Sequence, residues 1–155
     1  FAAYTAFMPG VGNHERYYNY TAYMKRYFLP RKTQNQTNLW FSFDYGQIHM
    51  VHFSSEHPYN LTSEQYEYLD ADLAAARSNP NIQWIILGVH RAFYSSSTFE
   101  HANVTNLASQ LEDLVNKHKV DIVQTGHVHD YERSWPTYKG KAMKERANKT
   151  HYMYP

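Results

Sequence analysis

The sequence has no cysteine in its 155 residues. This absence excludes a disulfide framework, thiolate metal ligands and a cysteine nucleophile. Any metal ion that the chain binds must therefore be held by nitrogen and oxygen atoms.

The sequence also lacks long runs of one kind of residue. No apolar run approaches the roughly twenty residues that cross a bilayer, and no signal-peptide pattern is present. No run of Lys and Arg is long enough to form a basic patch, and the formal net charge is only +1. There is no internal repeat or low-complexity tract. We therefore expect neither a membrane nor a nucleic acid as a partner.

What the chain does contain is typical of one globular domain with a proper core. Ten histidines and fifteen tyrosines are many for this length, and amphipathic packing explains most of the tyrosines. Glycosylation sequons of the Asn-X-Ser/Thr type begin at Asn19, Asn35, Asn60, Asn103 and Asn148, where chance predicts roughly one or two. The sequons predict a protein of the secretory pathway, either secreted or lysosomal/vacuolar.

Hydrophobic periodicity predicts an α/β chain in which strands alternate with helices. Short strands are predicted at residues 4–8 and 120–123, and a strand buried on both faces at 82–89. A β-hairpin with the turn Tyr45-Gly46 is predicted over residues 39–54, at the centre of the sheet and covered on both faces.

Three helices are predicted from apolar stripes at helical spacing. Two cover residues 16–29 and 107–115, and the third runs from the capping box Thr62-Ser63-Glu64-Gln65 to about residue 79. The simplest predicted topology joins parallel strands through a helix in a right-handed crossover. No element is predicted after residue 133.

Two histidines separated by one residue, His127 and His129, follow the last of these strands and Gly126. Neutral imidazole is the commonest protein metal ligand, and open α/β sheets bind ligands at the carboxyl ends of their strands. Such a pair taken alone is more often part of an ordinary surface loop. Two upstream features change this balance: Gly12-Asn13-His14-Glu15 follows an apolar segment, and His90 closes the strand at 82–89.

The residues Asn13, His90, His127 and His129 combine an amide oxygen with imidazole nitrogens. Such a mixed set suits Zn, Fe or Mn rather than Ca or Mg. A metal of this kind generates hydroxide at low pH and binds a phosphoryl oxygen, so hydrolysis is the predicted chemistry. By contrast, His49 and His52 have opposite parity in a strand and cannot both face one ligand, so they are predicted to be structural.

Three stretches of the sequence resemble, in the same order, three sequence blocks of a known family. They are Gly12-Asn13-His14-Glu15, Val89-His90, and Gly126-His127-Val128-His129 followed by Tyr131-Glu132-Arg133. They look like the later three of the five blocks of the purple acid phosphatases, which belong to the calcineurin-like metallophosphoesterases. The similarity extends over about residues 4–135. It implies an α/β fold, a partial metallophosphoesterase-type β-sandwich flanked by helices, with its N-terminal half missing.

The resemblance implies a binuclear metal centre, Fe(III) with Zn, Fe or Mn, that hydrolyses small phosphomonoesters at acidic pH. Asn13, His90 and His127 would bind the second, divalent metal, and His129 the first, typically ferric one. His14 would meet the phosphate and help to bind it or to protonate the leaving alkoxide.

Two further roles follow from the same resemblance. His101, beside Glu100, is the nearest counterpart of the substrate histidines that plant-type members carry after the strand-end histidine. Glu132 and Arg133 are predicted to form a structural ion pair behind the last loop.

The two earlier family blocks, Asp-X-Gly and Gly-Asp-X-X-Tyr, do not precede Gly12, where only eleven residues remain. Those blocks supply an aspartate to the first metal, the bridging aspartate and the tyrosinate. The chain also ends before the closing strands of the family, so we expect residues 1–155 to be the C-terminal portion of a single catalytic domain. The first residue is Phe1 rather than Met, which predicts an N-terminus that is processed or cut from a longer chain. Its metal centre would be incomplete and the fragment alone inactive, and the exposed sheet edge could support a homo-oligomer.

Two alternatives stay open at this point. The missing blocks would also fit a catalytically inert secreted binding module on the same fold. A different loop after His90 would favour a phosphodiesterase or a sphingomyelinase-like relative.

Overall fold

The computed structural model describes residues 3–31, 37–98 and 106–143. The helices in these ranges are α1 (Thr21–Arg26), α2 (Glu64–Ser78) and α3 (Leu107–Lys117), and a short 3-10 turn, Asn13–Arg16, precedes α1. The strands are β1 (Phe41–Tyr45), β2 (Ile48–Phe53), β3 (Trp84–Val89), β4 (Ile122–Gln124), β5 (Thr137–Tyr138) and β6 (Lys141–Ala142). Helices and strands alternate, which confirms the predicted α/β class.

The main sheet has four strands in the order β1-β2-β3-β4. β1 and β2 form the predicted antiparallel hairpin, whereas β2, β3 and β4 run parallel. The connections between the parallel strands contain α2 and α3, because parallel neighbours need a crossover rather than a tight turn. The carboxyl ends of β2, β3 and β4 therefore meet at one edge of the sheet.

One face of the sheet carries the main core. Side chains of β2 and β3 that share this face are buried against the apolar stripes of α2 and α3. The fully buried members include Leu69 and Leu73 of α2 and Leu107 and Leu111 of α3. Burying a leucine side chain stabilises a fold by roughly 1.5–3 kcal/mol, so these two helices fix the sheet that presents the strand ends.

The opposite face is covered only in part by the described residues. Near β1, Val11, Tyr23 and Leu29 pack on Phe41 and form a second, smaller core. Towards β4, the row Met50, Ile86 and Ile122 stays partly or largely exposed, with Ile122 at 43%. The expectation that both faces of the hairpin and of β3 are covered is therefore wrong for this part of the chain.

The two hairpin histidines lie on opposite faces, as their parity predicts. His49 is buried on the helix side, where Asp44 and Asp72 approach its two ring nitrogens at 2.6 and 2.9 Å. His52 stacks on Phe41 on the other face, with ring centroids 5.5 Å apart. Both are structural in this arrangement.

Several sequence predictions are corrected by the structure. Residues 4–8 form no strand, because within the described ranges they have no neighbouring strand to pair with. The helix predicted at 16–29 shortens to α1, since Tyr18, Asn19 and Tyr20 take left-handed backbone angles that no right-handed helix allows. The hairpin lies at one side of the sheet rather than at its centre, with β1 as an edge strand in the described part.

Two smaller corrections concern the capping box and the C-terminal segment. Ser63 caps α2, not Thr62, and Gln65 turns inward to bond the backbone of Ser54 and Pro58. A small hairpin, β5–β6, follows residue 133, where no element was predicted. No helix among the residues described is long and apolar enough to cross a membrane.

Candidate metal centre

The candidate centre lies at the carboxyl ends of the parallel strands. His90 follows β3 directly, and His127 lies three residues after the end of β4. Asn13 is the first residue of the 3-10 turn, which brings the N-terminal segment across the sheet to the same edge. Three segments that are far apart in sequence thus supply one polar group each.

The three side chains converge on one point. Asn13 Oδ1 is 2.6 Å from His90 Nε2 and 3.2 Å from His127 Nδ1, and the two ring nitrogens are 3.1 Å apart. Ligand atoms around a tetrahedral zinc ion with bonds of about 2.0–2.1 Å lie about 3.3 Å from one another. The distances of 3.1 and 3.2 Å are close to this value, whereas the 2.6 Å between Asn13 Oδ1 and His90 Nε2 is the length of a hydrogen bond. The amide oxygen and the two ring nitrogens are donor types that a divalent cation such as zinc takes.

Glycines allow this close approach. A Cβ at Gly12 would lie 2.9 Å from two atoms of the His90 ring, so only glycine lets the backbone pass there. The turn is fixed by Glu15, whose carboxylate accepts a hydrogen bond of 2.8 Å from the Gly12 N–H. On the other side, the Gly126 N–H donates to the His90 carbonyl at 2.9 Å, which joins the loop after β4 to the end of β3.

His127 is held in an unusual backbone conformation. Its φ of 69° lies in the left-handed region, which costs a residue with a side chain about 1–2 kcal/mol. Such strain concentrates at functional sites, where the surrounding structure holds a side chain in a required position. Here it turns the Nδ1 atom towards Asn13 and His90.

The electrostatics favour a neutral imidazole at His90. Burial lowers the pKa of His90; the carboxylate of Glu56 opposes this shift and the guanidinium of Arg91 supports it. A histidine binds a metal through the lone pair of its neutral form. The lowered pKa keeps that lone pair available at more acidic pH.

A charged pair behind His127 was not predicted from the sequence. Arg91 donates to Glu56 from Nε at 2.7 Å and from Nη2 at 3.2 Å, and its Nη1 lies 3.1 Å from His127 Nε2. Burial alone raises the pKa of Glu56, but the hydrogen bonds and charge of Arg91 outweigh it and hold the pKa below its usual range. The position of Arg91 beside His90 was a signal for this pair, but nothing in the sequence indicated that Glu56 lies opposite.

Three other residues were predicted for the site, namely His14, His129 and His101. His14 is exposed in the 3-10 turn, near enough for its charge to influence the pKa of His90. His129 is exposed, and the described residues contain no cluster of three His, Cys, Asp or Glu side chains that it could complete with His90 and His127. His101, with Glu100, lies outside the described residues.

Glu132 contacts two serines of another loop. Its carboxylate accepts hydrogen bonds from Ser95 Oγ at 3.0 Å and from the Ser96 N–H at 2.9 Å. It thereby ties the loop after β4 to the loop after β3. The ion pair of Glu132 with Arg133 stays a prediction.

The donor set fits one metal site and not a second. One amide oxygen and two imidazoles form a three-ligand site with open positions, as catalytic zinc sites have. Of the ligands expected for a first, ferric site, the described residues supply only His129.

An α/β sheet with an amide and two imidazoles at its strand ends is the arrangement that the resemblance to the metallophosphoesterases predicts. The family model for calcineurin-like phosphoesterases matches residues 1–131. The chain belongs to this family.

Its relatives are purple acid phosphatases and other acid phosphatases. Purple acid phosphatase 21 of Arabidopsis thaliana is 33% identical over 143 residues, covering 87% of this chain and 32% of the relative. Acid phosphatase type 7 of Homo sapiens is 34% identical over 154 residues, covering 88% and 34%. The solved structure of the purple acid phosphatase PPD1 from yellow lupin seeds matches with a TM-score of 0.69 and 28% identity, covering 79% of this chain and 22% of that chain.

These matches confirm the predicted family and fold. The chain spans about a third of the length of the curated relatives that it matches.

Proposed function

We propose that this chain is the C-terminal portion of the catalytic domain of an acid phosphatase, which hydrolyses small phosphomonoesters at acidic pH with a binuclear metal centre. The observation that carries the proposal is the convergence of Asn13 Oδ1, His90 Nε2 and His127 Nδ1 within 2.6–3.2 Å at the strand ends. Membership of the phosphoesterase family supplies the reaction class.

The metals of the proposed centre are Fe(III) and a divalent ion. One relative, 32% identical over 129 residues, is named Fe(3+)-Zn(2+) purple acid phosphatase 12 of Arabidopsis thaliana. The nitrogen and oxygen donors of this chain suit Zn, Fe or Mn in the divalent position. When bound, such a centre supplies a nucleophile at low pH and neutralises charge on the phosphoryl oxygens.

Each predicted site residue has a proposed role. Asn13, His90 and His127 hold the divalent ion, and His129 contributes to the ferric site. His14, exposed beside them, binds the phosphate or donates a proton to the leaving alkoxide oxygen. His101 is proposed as a further substrate contact from the loop after His90.

Zinc binding by the chain tests the ligand assignment. Competition with a chromophoric chelator should show that Asn13→Ala and His90→Ala each weaken zinc binding at least about tenfold, because each removes one of three donors. The matched control is His118→Gln, since His118 is a buried histidine bonded to Asp70 at the other end of the sheet. Equal zinc affinity in the chain and in both ligand variants would refute the site.

Hydrolysis of p-nitrophenyl phosphate tests the activity. A longer protein that contains this chain and the two upstream aspartate blocks should lose most of its activity on Asn13→Ala substitution. Unchanged activity would refute the role of Asn13. No activity in the metal-loaded longer protein would favour a binding module instead.

Glycosylation and secretion are proposed from the sequons. Asn19 and Asn60 are exposed, and Asn60 Nδ2 donates to Thr62 Oγ1 at 2.7 Å within its own sequon. The sequons at Asn35, Asn103 and Asn148 lie outside the described residues. Peptide mass spectrometry of protein secreted from a eukaryotic host should find a glycan on Asn60 that Thr62→Ala abolishes; an unmodified Asn60 would refute this site.

A further inference from the structure

The loop after β4 is attached to the loop after β3 at two points. The first attachment is the hydrogen bond of 2.9 Å from the Gly126 N–H to the His90 carbonyl. The second is the carboxylate of Glu132, which accepts from Ser95 Oγ at 3.0 Å. The Ser96 N–H also donates to this carboxylate, at 2.9 Å to one oxygen and 3.1 Å to the other. Both attachments hold the loop after β4 against the same neighbour.

The span between the two attachments, residues 127–131, begins with a strained turn. The Val128 N–H donates to the Gly126 carbonyl at 2.8 Å, and His127 between them has a φ of 69°. A hydrogen bond that closes across one residue of positive φ forms the rarer and more strained of the two kinds of γ-turn. In this turn the Nδ1 atom of His127 lies 3.2 Å from Asn13 Oδ1, within the candidate centre.

The segment that Glu132 contacts is held by the main core. Phe93 is buried in that core, and the hydroxyl of Tyr94 donates to the carboxylate of Glu112 on α3. Ser95 follows directly in the chain. The Glu132 carboxylate is therefore bound to a part of the loop after β3 whose position is fixed.

The strained turn needs both attachments. A residue in a rarely populated backbone conformation keeps it only where the surrounding structure holds it there. The hydrogen bond of Gly126 fixes the start of the span, and Glu132 fixes its end. Without the carboxylate, the end of the span would be released and His127 could relax to a negative φ.

We propose that Glu132 is a positioning residue, which holds the loop after β4 so that His127 keeps its γ-turn conformation and its place in the candidate metal centre. The inference rests on the proposed metal site. A ligand that is already in place before the cation arrives lowers the cost of binding. Glu132 thus raises the affinity of the centre for a divalent ion, although it is not one of the three converging groups.

Nuclear magnetic resonance of the metal-free chain tests the conformational half of the proposal. A positive φ brings the amide proton of His127 close to its Hα, so the unaltered chain should show a strong nuclear Overhauser effect between them. Glu132→Ala should weaken this effect at least about twofold, because much of the population relaxes. Glu132→Gln should retain it, since the amide oxygen still accepts from the Ser96 N–H. An unchanged effect in Glu132→Ala, or an equal loss in both variants, would overturn the proposal.

Zinc binding by the same proteins tests the second half. Glu132→Ala should weaken zinc binding about tenfold, as the loss of a group that orients a metal ligand does. Glu132→Gln should bind zinc nearly as tightly as the unaltered chain. Equal weakening in the two variants would show that the charge of Glu132 acts rather than its hydrogen bonds. That result, or unchanged affinity in Glu132→Ala, would overturn the proposal.

The matched control is Asp130→Ala, which removes the same charge two positions earlier in the same loop. Asp130 and Glu132 are both exposed, so neither substitution disturbs the core. Asp130→Ala should leave the His127 signal unchanged and weaken zinc binding much less than Glu132→Ala does; equal weakening would count against the proposal. A chain that binds no zinc at all would defeat the proposed function, whereas the His127 signal would still decide whether Glu132 holds the turn.

Discussion

One histidine, His52, lies beside the candidate metal centre. The Nδ1 atom of His52 is buried and finds no hydrogen-bond partner among the described residues, and Gly10 passes so close that a Cβ there would lie 1.4 Å from His52 Nε2. Burial, with a smaller contribution from the charge of His90, lowers the pKa of His52 to about 4. The folded chain therefore holds this ring neutral under conditions in which the unfolded chain would protonate it.

The pH dependence of stability follows from this difference. Because the pKa of His52 is lower in the folded state, the unfolded state binds more protons between pH 6.5 and 4, and the free energy of unfolding falls as the pH falls through that window. Between pH 7.5 and 5 the loss from His52 should be about 2 kcal/mol. Urea unfolding at both pH values should show a smaller drop for His52→Leu, which keeps an apolar side chain that does not titrate. An equal drop in both proteins would contradict this assignment.

Individual site residues were predictable where a strand end and a polar residue coincide. His90 and His127 follow apolar runs, and Asn13 follows a glycine after one, so their convergence was expected from the sequence. The Glu56–Arg91 pair was not, because contacts between residues 35 positions apart leave no trace in local pattern. The exposed position of His129 likewise depends on the path of its loop rather than on spacing.

At the level of elements, the start of α2 is set by one serine. Ser63 Oγ accepts a hydrogen bond of 3.2 Å from the Tyr66 N–H, one of the donors that a helix leaves unpaired at its beginning. Ser63→Ala should lower the free energy of unfolding by about 1 kcal/mol, measured by urea denaturation. Thr62→Ala, one position earlier, should change it by less than half as much. A larger loss of unfolding free energy in Thr62→Ala than in Ser63→Ala would identify Thr62 as the cap.

Long periodic elements were predicted well and short ones poorly. The hairpin, α2, β3 and α3 have strong patterns and all are present. The capping box was placed one residue early because Thr62 and Ser63 are both good caps, and the pattern alone does not distinguish them. Residues 4–8 have strand composition, but a strand exists only where a neighbour pairs with it.

At the level of the whole molecule, one face of the sheet has a row of apolar side chains that the described residues do not fully cover. Met50, Ile86 and Ile122 lie side by side on the face opposite the helices, and β4 is an edge strand in the described part. Exposed apolar edges promote association between chains. We therefore expect the isolated chain to associate as its concentration rises, measured by light scattering after size-exclusion chromatography.

The variant Ile122→Lys should shift the chain towards monomer, because it places a charge on both the row and the edge. Leu61→Lys is the control, since Leu61 is 64% exposed in the loop before α2, away from the sheet. A chain that stays monomeric at all concentrations, or equal effects of the two variants, would contradict association through this face.

The separation of the three converging groups along the chain has one more consequence. Asn13 and His90 are 77 positions apart, and His90 and His127 are 37 apart. A shared cation would close both of these loops at once, as a disulfide closes a loop in other proteins, and this chain has no cysteine with which to form one. Scarcity of the ion would then leave the chain easier for proteases to cleave.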